Sequence, residues 1–267
     1  MPKRGYNPAV IEIVSNTGNN GLAEGPSAAS AQPPEPPPAS FDSYARNYDE
    51  ALNQGLAVSG ENKEYYARGR VQWLMRCLTP LGMRPREVLD FGCGIGSGVP
   101  FLLELNPECH VTGIDISAGS LAVARRANDP ARSHFVEVKD HRPAGQIDLA
   151  FCNGVFHHIP PSQRAAAVDH VFRSLRTGGL FAFWENNPWN PGTRYIMSRV
   201  EFDRDAITLS CLESKRLLRA GGFEVLRYDS RFYFPRSLSF LRWLETPLAK
   251  LPLGGQYQVL CRKAGQL

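Results

Sequence analysis

The chain has 267 residues, 43% of them hydrophobic, which is enough for an α/β domain with a sizeable buried core. Its net charge is only +4 and its basic residues are scattered, so a nucleic-acid partner is not indicated. No apolar run approaches the ~18 residues of a membrane span, and the stretch after Met1-Pro2-Lys3-Arg4 is short and carries Glu12, so neither a span nor an export signal is expected.

Residues from about 15 to 39 are polar and then proline-rich, with Pro33-Pro34-Glu35-Pro36-Pro37-Pro38. Such a segment buries too little apolar surface to fold, so 1–40 reads as a flexible leader and 41–267 as the ordered domain. Helical patterns cover about 42–53 and 62–79, ending at Pro80. Strands and helices then alternate: a strand at 87–91, a helix from Gly98 to Leu105, a strand at 110–114 and a helix from Ser117 to Ala127. Strands follow at 134–138 and 147–152. In the helix over about 161–175, Val168, Val171, Phe172 and Leu175 make one apolar stripe, and Gly178-Gly179 ends it before a strand at 180–184. Ser210-x-x-Glu213 is a capping box opening a helix that stops at Gly221. The last strands are 223–228 and 256–262. Repeated strand–helix units imply a doubly wound α/β fold, mostly parallel, with helices on both faces.

The most specific segment is Val88-Leu89-Asp90-Phe91-Gly92-Cys93-Gly94-Ile95-Gly96-Ser97-Gly98. A buried strand ends in an aspartate, and glycine at every second position lets the backbone approach a ligand closely. The dinucleotide spacing G-x-G-x-x-G is not met, because Ser97 stands where its third glycine belongs. Asp115 follows Val111-Thr112-Gly113-Ile114, where an acid at the end of strand 2 accepts ribose hydroxyls in doubly wound folds; the plainer alternative is a helix-capping aspartate.

These features resemble class I S-adenosylmethionine (SAM) methyltransferases of the small-molecule type. The resemblance rests on the glycine loop, Gly113-Ile114-Asp115-Ile116-Ser117, Lys139-Asp140, Phe151-Cys152-Asn153-Gly154-Val155-Phe156-His157-His158-Ile159 and Leu175-Arg176-Thr177-Gly178-Gly179-Leu180, in the family's order. Phe41-Asp42-x-Tyr44-Ala45-x-x-Tyr48-Asp49 is similar to the N-terminal lid of quinone-methylating relatives, which makes 41–80 a lid. The resemblance implies a Rossmann-like seven-stranded sheet with an antiparallel last strand, and SAM as cofactor. It implies a cofactor site at Asp90, Gly92, Cys93, Gly94, Gly96, Asp115, Ile116, Asp140, His141 and Asn153, with Tyr44 and Arg70 as lid candidates. Asp90 would face the cofactor's amino group, Ile116 and Asp140 its adenine, and Asn153 its methionine part. Lys139 can instead neutralise Asp140, and Arg70 can equally be a solvated helix residue.

A hydroxyl acceptor needs a base, and His157 and His158 follow strand 4 at the ligand-binding edge of the sheet. Each is otherwise a satisfied structural histidine, and His157 is placed slightly ahead as catalyst. Asn153-Gly154-Val155-Phe156 lacks the Pro-Pro-aromatic pattern of amino-methylating relatives, so an oxygen or carbon acceptor is favoured. The acceptor's walls are expected in the lid, in Glu185–Pro191 and in the insert 230–253, with Trp184 and Trp189 equally placed in core or pocket. The insert's aromatic and basic residues would suit a membrane surface and a lipid-linked acceptor, or simply packing on the domain or a second subunit. The six cysteines form no C-x-x-C pair and read as buried thiols of a cytoplasmic protein, with no metal centre. An NAD(P)-dependent oxidoreductase, or a silent binding protein of the same fold, are the competing readings.

Overall fold

The computed structural model describes residues 55–265 except 201, 202, 204 and 205; Tyr44, the leader and the expected helix at 42–53 lie outside them. Seven strands form one sheet in the order β3-β2-β1-β4-β5-β7-β6. They are β1 (Glu87–Phe91), β2 (His110–Asp115), β3 (Ser133–Glu137), β4 (Ile147–Asn153), β5 (Leu175–Asn186), β6 (Phe223–Arg231) and β7 (Gln256–Lys263). β1 to β5 pair in parallel, and β7 inserts antiparallel between β5 and β6. This is the Rossmann-like methyltransferase sheet, and it differs from the 3-2-1-4-5-6 order of dinucleotide-binding sheets.

The two-residue period of the strands divides the core between the faces. Val88, Leu149, Phe151, Leu180, Ala182, Trp184 and Leu260 point to one side. There they meet α1 (Lys63–Leu78), α2 (Val99–Leu102) and α3 (Ala118–Ala127). Leu89, Phe91, Ala150, Cys152, Phe181, Phe183 and Val259 point to the other side. They are covered by α4 (Arg164–Ser174) and α6 (Cys211–Ala220). On α1, Ala67, Val71, Leu74 and Leu78 repeat at helical spacing and are all buried, while Asn62 caps its first turn by accepting from the Tyr65 N–H. The capping box of α6 forms as expected: Glu213 N–H donates to Ser210 Oγ, and Ser210 N–H donates to Glu213 Oε2.

The structure differs from the expected elements or adds to them in three places. α4 ends at Ser174, and β5 starts at Leu175, pairing with Ile147; Gly178-Gly179 lies inside β5, where the register shifts, and does not end the helix. A helix absent from the sequence reading, α5 (Pro191–Arg199), follows Asn190, whose side chain caps it by accepting from the Thr193 N–H. The 230–253 insert is a 3-10 stretch (Arg236–Leu244) running into the short α7 (Glu245–Leu248). Its aromatics divide: Phe240 and Trp243 are 70% and 71% exposed, whereas Phe232, Tyr233 and Phe234 turn inward to line a cavity. Among the described residues no helix is long and apolar enough to cross a membrane.

Candidate active site

The sheet switches direction of growth at β1, with β2 on one side and β4 on the other, which opens a crevice at the carboxyl ends of these strands. The glycine loop fills the start of this crevice. Gly92 and Cys93 both donate their N–H to the Ile114 carbonyl, at 2.8 and 3.0 Å. Asp115 then locks the loop: its Oδ2 accepts the Gly94 N–H at 2.8 Å, and its Oδ1 accepts the Ser117 N–H at 2.9 Å. Gly92 and Gly94 have φ of 74° and 53°, the left-handed region that favours glycine. A Cβ on Gly92 would run into Val155, while a Cβ on Gly94 would meet nothing within 4 Å. The second glycine thus faces open space where a ligand can lie against the backbone.

That space is a cavity of about 130 Å³ lined by Arg70, Asp90, Gly92, Cys93, Gly94 and Asn153, among others. Burial, reinforced by the nearby Asp115 charge, pushes the Asp90 carboxyl up to about 7 against the opposing pull of Arg70. A buried carboxylate so placed gains from a cation brought beside it. Asn153 Oδ1 is buried without a hydrogen-bond partner among the described residues, so it too awaits a donor. These features fit the amino acid end of SAM. Burial also pushes the Cys93 thiol well up, which favours the neutral thiol.

The other expected cofactor residues are spread more widely. Asp115 joins the site through Gly94. Gly96 packs toward Ala124 and Asn128 of the α3 side. Ile116 is partly buried against the second core face, outside the cavity lining. Asp140 is exposed after β3, and Lys139 pairs with Glu137 at 2.7 Å. His141 Nδ1 lies 2.9 Å from His170 Nε2, in a pair that burial holds below the ordinary imidazole range. Lys63, whose Nζ donates to Ser97 Oγ at 3.2 Å, lines the cavity and was not singled out from sequence; a lysine opening a helix carries no motif.

A second cavity of about 320 Å³ adjoins the first, and Lys63, Arg70 and Asn153 line both. Arg70 Nη1 donates to Gln256 Oε1, and Gln256 Nε2 donates to Asn186 Oδ1, each at 2.9 Å, so the mouth of α1 is tied to the ends of β7 and β5. Tyr66, Phe232, Tyr233 and Phe234 supply an aromatic wall. Phe232 has φ of 61°, a left-handed conformation in a bulky residue, and its ring packs on Tyr66 at 4.9 Å. Trp184 is fully buried in the core and Trp189 is half exposed; neither lines the cavity.

The polar end of this cavity holds both candidate histidines and Asp203. His157 is fixed from two sides: its Nδ1 lies 2.6 Å from Glu185 Oε2, and its Nε2 lies 3.4 Å from Asp203 Oδ1. Burial alone would depress this imidazole, but Glu185 and Asp203 outweigh it and raise it to about 10. His158 Nε2 lies 3.2 Å from the same Asp203 oxygen. Burial and the His157 charge hold His158 below its ordinary range. The buried Arg164 braces this loop by donating to the carbonyls of Phe156, Ile159 and Ile207, and Ile207 N–H donates to His157 O. Asp203 follows α5 in a stretch without periodicity, so no sequence signal marked it.

Residues 89–181 match the family described as a methyltransferase domain. A stretch of 95 residues is 35% identical to a trans-aconitate 2-methyltransferase of Azoarcus sp., covering 36% of this chain and 37% of that protein. A stretch of 116 residues is 32% identical to the Methylobacterium nodulans protein of the same name, covering 43% of this chain and 44% of the relative. The chain thus spans less than half the length of these two curated relatives. In three dimensions it is similar to an S-adenosylmethionine dependent methyltransferase from Mesorhizobium loti, with a TM-score of 0.53 at 20% identity, covering 72% of this chain and 97% of that one.

Proposed function

We propose that this chain, a class I SAM-dependent methyltransferase by its fold and its central domain, moves a methyl group to an oxygen or carbon of a small acceptor seated in the 320 Å³ cavity. The observation that carries this reading is the boundary of Lys63, Arg70 and Asn153 shared by the two cavities. A donor in one and an acceptor in the other would meet there, as in-line displacement requires.

SAM, when bound, supplies a methyl group already activated by the positive sulfur. Asp90, the Gly94 backbone and Asn153 would hold its amino acid end, and Asp115 would accept its ribose hydroxyls. By family resemblance, Ile116 and Asp140 would bound its adenine. The chain's work is then alignment and exclusion of water, and the aromatic wall of Tyr66, Phe232 and Phe234 serves both. An acceptor oxygen is favoured at the His158–Asp203 end. There His157 is held charged by two carboxylates, so the neighbouring His158 is the imidazole placed to take a proton. Lys63 and Arg70 at the boundary suit an anionic acceptor, and the likeness to trans-aconitate methyltransferases makes a small unsaturated carboxylic acid the first class to test.

The test is calorimetric titration with S-adenosylhomocysteine and with NAD(P)H, followed by transfer of labelled methyl to small carboxylic acids and hydroxyl compounds. Binding of the homocysteine compound and label in an acid or hydroxyl acceptor are expected. No binding of that compound, or binding without transfer to any acceptor class, would overturn the reading.

A further inference from the structure

We propose that His157 Nε2, His158 Nε2 and Asp203 Oδ1 hold a divalent first-row transition-metal ion of the zinc kind at the polar end of the acceptor cavity. Its role, polarising an acceptor oxygen, rests on the function proposed above; its binding does not. With the ion in place, His158 gives its lone pair to the metal, and the ion replaces imidazole as the group that activates the acceptor.

Four observations carry the site. The three donor atoms lie within 4.8 Å of one another. Asp203 Oδ1 stands 3.4 Å from His157 Nε2 and 3.2 Å from His158 Nε2. A tetrahedral ion with bonds of about 2.0–2.1 Å places its ligands about 3.3–3.4 Å apart, so the spacing is already that of a coordination edge. It is long for charge-assisted hydrogen bonds, which close to about 2.7–2.9 Å, and one carboxylate oxygen faces both rings.

Second, Glu185 Oε2 lies 2.6 Å from His157 Nδ1. On metal binding the charged His157 ring gives up its Nε2 proton and keeps the Nδ1 proton on this buried carboxylate, so that Nε2 beside Asp203 becomes the ligand atom, the carboxylate–histidine arrangement that orients metal ligands. Third, the loop is preorganised: Arg164 binds the carbonyls on both sides of the histidines, and the Ile207 N–H binds His157 O. Fourth, all three donors line the 320 Å³ cavity. Three protein ligands with the next position open to a cavity is the pattern of catalytic rather than structural zinc. Two imidazoles and one carboxylate suit zinc, iron or cobalt better than the all-oxygen preference of magnesium or calcium.

The experiment uses the full chain without a histidine tag, stripped with a chelator, and titrated with Zn²⁺ by calorimetry and with Co²⁺ by visible absorption. One equivalent of Zn²⁺ per chain and an intense cobalt d–d band of low coordination number are expected. His158→Ala and Asp203→Ala should abolish the cobalt band. Glu185→Gln should weaken zinc about 10- to 100-fold, as loss of an orienting carboxylate does. S-adenosylhomocysteine titrations report whether each variant is folded; if the variants do not fold, the wild-type cobalt spectrum decides alone. A stripped chain that binds S-adenosylhomocysteine but takes up neither metal overturns the proposal, as do folded variants that bind zinc like the wild type. Stoichiometric zinc without S-adenosylhomocysteine binding would support the metal site and overturn the methyltransferase reading.

Discussion

Glu185 Oε2 and His157 Nδ1 stand 2.6 Å apart, and neither side chain has more than a trace of contact with solvent. The second Glu185 oxygen accepts the Phe156 N–H at 2.8 Å, so one carboxylate from the end of β5 fixes both the backbone and the ring of the loop after β4. A buried pair of this kind adds little stability relative to well-packed apolar groups, yet breaking it is expensive because a charge is left unpaired. Glu185→Ala should therefore lower the unfolding free energy by about 3–5 kcal/mol in urea titrations. A loss under about 1 kcal/mol would mean that the pair does not order this loop.

Asp115 has one role seen in the loop and one proposed toward the cofactor ribose. Asp115→Ala removes the acceptor of the Gly94 and Ser117 N–H groups as well as the proposed ribose acceptor. Two hydrogen bonds to a charged group are worth about 3 kcal/mol or more, so S-adenosylhomocysteine affinity should fall about a hundredfold or more by calorimetry. Asp115→Asn keeps an acceptor oxygen and should lose less. Equal losses in both would assign the effect to charge rather than to hydrogen bonding.

Asp90 sets a pH dependence. Its carboxyl ionises at about 7 in the ligand-free fold, against 3.8 when unperturbed. The folded value is raised, so its contribution to stability is full below 3.8 and is lost as pH rises through about 7. Ligand binding runs the other way, because a cationic amino group needs the ionised form. S-adenosylhomocysteine affinity should therefore rise across neutral pH, and Asp90→Asn should flatten that part of the profile. A wild-type profile that is level there would remove Asp90 from the amino acid end of the site.

The two glycines of the loop should fail differently. Gly92→Ala drives a methyl group into Val155 and strains a left-handed residue, so its main effect is on stability, read as a lower midpoint of thermal unfolding. Gly94→Ala meets nothing in the protein. It should cost about 1 kcal/mol for its left-handed backbone and act chiefly on cofactor affinity, since the new methyl enters the open space where we propose the cofactor binds. Full cofactor affinity in Gly94→Ala would place the cofactor elsewhere.

Much of this protein is local enough to read from its residues. Short apolar runs marked the central strands, because a strand covered on both faces carries buried apolar residues at successive positions. The glycine loop and Asp115 stand out because close approach to a ligand narrows the choice of residue to glycine and of partner to an acid. Boundaries were less legible. Leu175 completes a helical stripe in sequence, yet it is drawn into β5 by pairing with Ile147, a contact made across the sheet. Lys139 stands beside Asp140 in sequence and can neutralise it, yet the fold pairs it with Glu137 at the end of β3. What only the tertiary structure decided is the difference in surroundings between His157 and His158. Adjacent residues are indistinguishable as a motif, and their difference comes from Glu185 and Asp203, which lie 28 and 46 residues from His157 along the chain. The chemistry of an imidazole is set by the groups that face it, and chain folding alone brings those groups together.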